Sequence, residues 1–318
     1  MQKVLWSKID QMNTKEFHER FPDEASCRHY WRNKRELAGI VCKRCEGTDH
    51  YWHGGKLEWR CKECKSSTSL RSGTVMQDSN LPFLIWFTAM FEMIYRKKSL
   101  SATEMYSKLD VKSESTAWYL MHKIRRAMGK RDEKYELSGD VEMDDAFVTV
   151  IKEMNLKDTG QVERKRGRGS ERKISILVMA STQKIKKPKK GRPNSLPKYF
   201  KMVVAEELSR DAINETAFCN INSRSKIKTD GYSSFTDLKK FMKKHISTVV
   251  PAKQAHIALP WVHTCIGNFK RFVNGILHHV SDVYLQNYLD EFVYKLNRRN
   301  FTNPFENIIT AGVQNVWG

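Results

Sequence analysis

Asp140-Val141-Glu142-Met143-Asp144-Asp145-Ala146-Phe147-Val148-Thr149-Val150 alternates acidic and apolar side chains and then runs on as an apolar stretch. A period of two puts Glu142 and Asp144 on one face of a β-strand, with Asp145 on the other. A carboxylate flanked by apolar neighbours on a strand is costly to bury unless it pairs or holds a metal. A second acidic segment, Thr229-Asp230-Gly231-Tyr232, lies at the end of another strand-like stretch, Lys226 to Thr229. Asp230 before Gly231 is equally readable as a turn residue. Taken with Asp144 it makes a candidate pair of carboxylates for Mg²⁺.

Around these two segments the pattern is that of strands followed by helices. Val141 to Ile151, Lys173 to Ser181, Lys201 to Leu208 and Lys226 to Thr229 are rich in Val, Ile and Met, and helical periodicity dominates from Trp261 to Arg299. That order over 137–300 implies one α/β domain. Two basic loops interrupt it, Arg164 to Lys173 and Lys184 to Arg192. Such runs are usually solvated, and here their position beside the strands suits a phosphate-gripping role.

Upstream, residues 1–37 read as a helical lead-in in which Pro22 and Asp23 suit a helix start. Residues 79–135 contain an apolar helix, Leu81 to Arg96, and two amphipathic helices, Ser101 to Leu109 and Glu114 to Met128, separated by Asp110 to Ser113. That is helix-turn-helix spacing, with Lys123, Arg125, Arg126 and Lys130 toward the end of the second helix. The same pattern also describes helical hairpins that only pack. Residues 301–318 read as a C-terminal tail.

Between these lies the strongest local signal. Cys42-Lys43-Arg44-Cys45 and Cys61-Lys62-Glu63-Cys64 each present two thiolates on a turn, and two such turns close a tetrahedral zinc site. Four sulfurs leave no open position, so one structural Zn²⁺ is expected, in a zinc ribbon spanning 38–78. The segment is too short for an ordinary core and needs the metal to fold. Cys27, Cys219 and Cys265 are read as small buried residues, and His50 and His53 as bystanders.

The 318-residue chain carries 56 Lys and Arg against 36 Asp and Glu, a formal charge of +20, with 40% hydrophobic and 11% aromatic residues. This composition belongs to a folded protein and argues against disorder. It also makes a polyanion the default partner, because neutralised phosphates release counterions. The longest apolar stretch, Leu81 to Tyr95, contains Glu92 and is shorter than the roughly 20 residues that cross a bilayer. Met1 to Asp10 lacks the apolar core of a signal peptide. Seven cysteines, four of them in two close pairs, suit a reducing compartment. A cytoplasmic, nucleoid-associated protein of bacterial type is expected.

The ordered set of motifs resembles the zinc-ribbon insertion-sequence transposases. The likeness runs from Phe17 to Arg299 and rests on Cys42 to Cys64, Gly73-Thr74-Val75 before Trp86, Thr116-Ala117-Trp118 and Lys123-Ile124-Arg125. It continues through Gly139 to Asp144, Arg166-Gly167-Arg168-Gly169, Thr229 to Tyr232, and Lys270-Arg271 with His278-His279-Val280-Ser281. Tyr288 to Phe292 and Asn297-Arg298-Arg299 complete it. The resemblance implies an α+β multidomain chain: a zinc ribbon, a helix-turn-helix-like segment, and an RNase H-like α/β catalytic domain with an Asp-Asp-Glu type triad whose third member varies.

It further implies Asp144 and Asp230 as the first two ligands of catalytic Mg²⁺ or Mn²⁺, two ions in number, and Lys270 as a phosphate-steadying residue. For the third ligand, relatives with Glu seven residues before the Lys point to His263, whereas a branch using Asn points to Asn268. On a helix, His263 lies about 20° from Lys270 and Asn268 about 140° from His263, so both cannot face one metal. Oxygen preference of Mg²⁺ favours Asn268. One departure follows Asp145, where relatives often have an aromatic residue and two glycines but this chain has Ala146-Phe147-Val148-Thr149-Val150.

The function implied is cleavage of double-stranded DNA at element ends followed by strand transfer to target DNA, in a homodimer or larger assembly. Two other readings stay open. One is a transposase-derived DNA-binding protein with a decayed acidic site, and the other is an RNase H-type nuclease.

Overall fold

The computed structural model describes residues 12–150, 173–187, 193–249, 251, 254–277 and 280–314. The basic segment 164–172 and the pair His278-His279 lie outside them, as does 188–192 of the second basic loop. The contacts divide the chain into two units, Met1–Arg131 with Asn300–Gly318, and Asp132–Arg299.

The first unit begins with α1 (Thr14–Arg20) and α2 (Glu24–Ala38). Each starts with a side chain that accepts a backbone N–H left over at the helix end. Asn13 accepts from Glu16, and Asp23 accepts from Ser26 at 2.8 Å. The strands β1 (His50–His53), β2 (Glu58–Cys61) and β3 (Ser67–Ser69) form an antiparallel sheet in that order. Arg35 of α2 donates to the carbonyls of Leu70 and Ser72, and Arg32 stacks over Trp52 at 4.3 Å. These contacts tie the small sheet to the helix.

Helix α3 (Phe83–Tyr95) is apolar almost all round and correspondingly buried, through Trp86, Phe87, Met90, Phe91 and Met93. Next come the short α4 (Ala102–Tyr106) and the long α5 (Glu114–Asp132), so both helices of the anticipated hairpin exist. Of the four cations toward the end of α5, Arg125 is only 1% exposed, with Ile124, Ala127 and Met128 buried beside it, and Lys123, Arg126 and Lys130 are half-buried. On α5 the open positions are instead Glu114, Ser115 and Tyr119, in its first turns.

The second unit is built on a five-stranded sheet of β4 (Asp140–Thr149), β5 (Lys173–Lys184), β6 (Ser195–Ala205), β7 (Lys226–Thr229) and β8 (Lys244–Ser247). Its spatial order is β6-β5-β4-β7-β8; β4, β5 and β6 pair antiparallel, and β7 joins β4, and β8 joins β7, in parallel. Strand alternation sorts the side chains into two cores. Ala146, Val148, Ile176, Val178 and Phe200 face α8 (Pro260–Asn274) and α9 (Leu285–Asn297), which follow the short α7 (Ala255–Ala258). Val141, Met143, Leu177 and Met179 face α6 (Arg210–Asn220) and the 3-10 helix Ser233–Lys240. At the end of α9, Asn297 bonds both the N–H and the carbonyl of Phe200, acting as a backbone-like partner for edge strand β6.

Residues 300–314 correct the expectation of a tail. They include α10 (Pro304–Gln314), which packs on α2 and α3 of the first unit. Phe305 is fully buried among Phe17, Phe21 and Phe87, with ring centroids 5.5 to 5.9 Å away. A Cβ at Gly312 would meet Val75 at 3.0 Å and both Met90 and Trp31 at 3.2 Å, so glycine permits this close approach. Among the described residues no helix is long and apolar enough to cross a membrane. Cys27 and Cys265 are buried as expected, but Cys219 is exposed.

Candidate functional site

In the parallel register of β4 and β7, Glu142 stands opposite Lys228. Two residues further along each chain come Asp144 and Asp230, and they meet there. One carboxylate oxygen from each of Asp144, Asp145 and Asp230 lies within 4.8 Å of the others. Asp145 corrects the simple alternation argument, which put it on the opposite face. Its backbone N–H donates to Asp144 Oδ1 at 2.9 Å, and its own carboxylate joins the group.

Asp230 is held by the turn it starts. Its Oδ1 accepts the N–H of Tyr232 at 3.0 Å, and its carbonyl accepts from Ser247 Oγ at 3.0 Å and Thr229 Oγ1 at 2.9 Å. Thr229 Oγ1 also bonds His245 Nε2 at 2.9 Å. Strand β8, which carries His245 and Ser247 and was not legible in the sequence, therefore steadies this aspartate. A Cβ at Gly231 would stand 2.3 Å from Val249 Cγ2, so a larger residue there would displace that exposed side chain.

Asp144 is 7% exposed. Burial first, then the charges of Asp230 and Asp145, push its carboxyl up to about 7. Three convergent carboxylates are a donor set for a hard cation.

Helix α8 crosses above this group. Val262, Cys265, Ile266, Phe269, Phe272 and Val273 are buried against the sheet. At 100° per residue that stripe leaves His263 and Lys270 on one flank and Asn268 on the other. His263 Nε2 is 3.4 Å from Asp144 Oδ2. Asn268 Oδ1 instead accepts from Arg271 at 2.5 Å, and Lys270 is exposed. Of the sequence candidates, the structure thus brings together Asp144, Asp230 and His263, adds Asp145, and turns Asn268 to its own helix.

The first turn of α8 is also bound to β4. Glu142 Oε2 accepts the N–H groups of Trp261 at 2.8 Å and Val262 at 3.2 Å. Burial raises the Glu142 carboxyl, and those two N–H groups oppose the rise.

In the first unit the four thiols of Cys42, Cys45, Cys61 and Cys64 lie within 4.8 Å of one another. Cys42 and Cys64 are 3.5 Å apart at Sγ, as are Cys45 and Cys61. A tetrahedron with metal–sulfur bonds of about 2.3 Å has sulfurs about 3.8 Å apart, so the set fits zinc closely. The two turns match. Glu46 N–H donates to the Cys42 carbonyl and Lys65 N–H to the Cys61 carbonyl, and Glu46 and Lys65 have φ of 60° and 59°. N–H groups of Arg44 and then Cys45 donate to Cys42 Sγ and draw its thiol down. The N–H of Gly47 draws Cys45 the same way, but the bonds of Cys45 to the other three sulfurs outweigh it and push its thiol up, so the four share their protons unequally.

The family comparison falls on the second unit. A family model described as an ISXO2-like transposase domain matches residues 136–297, just over half of the chain. An uncharacterized protein in transposable element ISH50 of Halobacterium salinarum is 25% identical over 158 residues. That alignment covers 47% of this chain and 50% of the relative, so the chain spans about half the length of the curated relative it matches. The crystal structure of a pre-cleavage Mos1 transpososome shares 10% identity over 69% of this chain and 76% of that one, at a TM-score of 0.26 that carries no argument. On the extent of the family match, together with the acidic group that its matched strands bring together, this chain belongs to the family of the ISXO2-like transposase domain.

Proposed function

We propose that the protein is a DNA transposase that cleaves the ends of its element and joins the freed 3′-hydroxyl to target DNA, with the acidic group on β4 and β7 as the catalytic centre. The observation that carries this is the convergence of Asp144, Asp145 and Asp230, from segments 85 residues apart, beside a helix bearing His263 and Lys270. The strand order, three antiparallel strands followed by two parallel ones on the far side of β4, supports an RNase H-like domain. Divalent cations, Mg²⁺ or Mn²⁺, when bound would supply Lewis-acid activation of the attacking oxygen and neutralise charge on the leaving one.

In this reading Asp144 and Asp230 hold the cations. Asp145 adds a third carboxylate, and His263, at ion-pair distance from Asp144, is favoured by position over Asn268 as the group from α8. Lys270 shares the flank of His263 and steadies a phosphate as a point charge. The cysteines hold one structural zinc in a ribbon. The chain's charge of +20 supports duplex DNA as the partner, held mainly through its phosphates.

The test uses duplexes from the ends of the flanking element, with Mg²⁺ or Mn²⁺, and compares the unsubstituted protein with Asp144→Ala, Asp230→Ala, His263→Ala and Asn268→Ala. Nicked and joined products are expected, lost by about 10³-fold or more with either aspartate removed while DNA affinity persists. His263→Ala is expected to fall further than Asn268→Ala. Tight binding with no cleavage in either metal would overturn the reading in favour of a DNA-binding descendant.

A further inference from the structure

Glu142 lies on the same face of β4 as Asp144, two residues away, and is 7% exposed. It is not among the three carboxylates whose oxygens converge. A single oxygen, Oε2, accepts two backbone N–H groups, those of Trp261 and Val262. Both belong to the first turn of α8, where N–H groups have no partner within the helix and the dipole favours a negative charge. The helix has no side-chain cap of its own, because the preceding residue is Leu259. A carboxylate from the sheet therefore does what a capping residue would ordinarily do.

Two further bonds hold the same end of the helix. Lys228, opposite Glu142 in the β4–β7 register, donates from Nζ to the carbonyl of Ala258 at 2.7 Å. Trp261 Nε1 donates to Ser195 Oγ at the start of β6 at 3.0 Å. His263 comes directly after the two residues that Glu142 grips, and it is the residue that reaches Asp144. One strand thus carries the acid of the centre and, one side-chain repeat of about 6.6 Å along, the acid that fixes the helix above it.

We infer that Glu142 is a positioning residue, a cap supplied by β4 that sets the height and rotation of α8 so that His263 faces Asp144. The inference rests on the catalytic reading of the acidic centre. It assigns Glu142 no contact with metal or DNA. Apolar packing along α8 holds the helix on the sheet but leaves sliding along the axis to be fixed, and the bonds from Glu142 and Lys228 fix it.

The experiment measures single-turnover cleavage of element-end duplex by the full chain at saturating DNA, with equilibrium affinity for the same duplex measured in parallel. The variants are Glu142→Ala, Glu142→Gln and Asp144→Asn. Glu142→Ala is expected to lower the cleavage rate by about 10²-fold, the order expected of a misplacement of about 1 Å, with DNA affinity unchanged. Glu142→Gln keeps a carbonyl oxygen able to accept both N–H groups and is expected to recover most of the rate. Asp144→Asn is expected to lose cleavage altogether.

If Glu142→Gln is as inactive as Asp144→Asn, Glu142 acts through its charge at the metal and the positioning inference is overturned. If Glu142→Ala cleaves at the full rate, it is overturned as well. Should Glu142→Ala fail to fold, the glutamine variant decides alone by the same criterion. Undiminished cleavage by Asp144→Asn would instead remove the catalytic reading beneath it, so the two failures are distinguishable.

Discussion

Asp144 is the residue on which most of the chemistry converges, and its environment makes a pH-dependent statement. Its carboxyl, ordinarily near 3.8, is pushed up to about 7 in the metal-free protein, by burial and then by Asp230 and Asp145. A carboxyl raised in the folded state favours folding only while it is protonated. That contribution is present below about 3.8 and is lost as pH rises through about 7. Thermal melts without added Mg²⁺ or Mn²⁺ should therefore carry a contribution that falls across this window, and Asp144→Asn should remove its share while leaving that of Asp290, whose carboxyl burial also pushes up to about 7. Mn²⁺ should raise the melting temperature more at pH 7.5 than at pH 5, since it binds the ionised form. A metal effect equal at both pH values would disagree with the site.

The residue scale also shows what the sequence could and could not reveal. Asp144 and Asp230 were legible as acids in strand settings within a basic chain. Asp145 was not, because strict alternation assigns it to the far face, whereas its carboxylate joins the group. The choice between His263 and Asn268 turned on ligand preference in the sequence and on helix rotation in the structure. The packing of Val262, Ile266 and Phe269 against the sheet and the bonds from Glu142 to the first turn of α8 set that rotation, and neither the sheet nor Glu142 lies on the helix itself.

At the scale of elements, β4 and β5 were visible because their Val, Ile and Met content marks buried strands, and β7 because the Thr229-Asp230-Gly231 segment ends it. Strand β8 was not, since Lys244-His245-Ile246-Ser247 offers one aliphatic residue and its place comes from pairing with β7. Helix α10 was missed for another reason. Phe305, Ile308, Ile309 and Val313 do recur at helical spacing, but their partners Phe17, Phe21 and Phe87 lie far back in the chain.

The four-cysteine segment is the element for which the proposed zinc has the plainest consequence. Strands of three and four residues bury too little to fold unaided. Cys61→Ser is expected to reduce bound zinc from one per chain to near zero, measured by elemental analysis. The near-ultraviolet dichroism of the Trp52 and Trp59 pair, whose centroids are 5.0 Å apart, should collapse with it. Full zinc content in that variant would rule out the four-thiol site.

For the whole molecule, the family match of residues 136–297 nearly coincides with the second unit, Asp132–Arg299. The chain leaves the first unit, builds this one, and returns to contribute α10. The sequence reading divided the chain into five segments and began the α/β domain at residue 137, near the start of the second unit, but the return was not legible, since nothing local marks the segment after Asn300 as part of the first core. Charge is a property of the whole chain, and +20 sets an expectation for binding. If six or more phosphates are neutralised, affinity for duplex DNA should fall by about 10³-fold between 50 and 200 mM salt. Fluorescence anisotropy over that range measures the slope, and a flat profile would exclude phosphate-dominated binding.

The central claim is that Asp144 binds a catalytic divalent cation, and an exchange of ligand chemistry tests it most directly. Asp144→Cys replaces a hard oxygen by a softer sulfur, which Mg²⁺ rejects and Mn²⁺ tolerates better. End cleavage by this variant, normalised to the unsubstituted protein in each metal, is predicted to be absent in Mg²⁺ and partly restored in Mn²⁺. Cleavage by Asp144→Cys in Mg²⁺ at the rate of the unsubstituted protein would contradict the account.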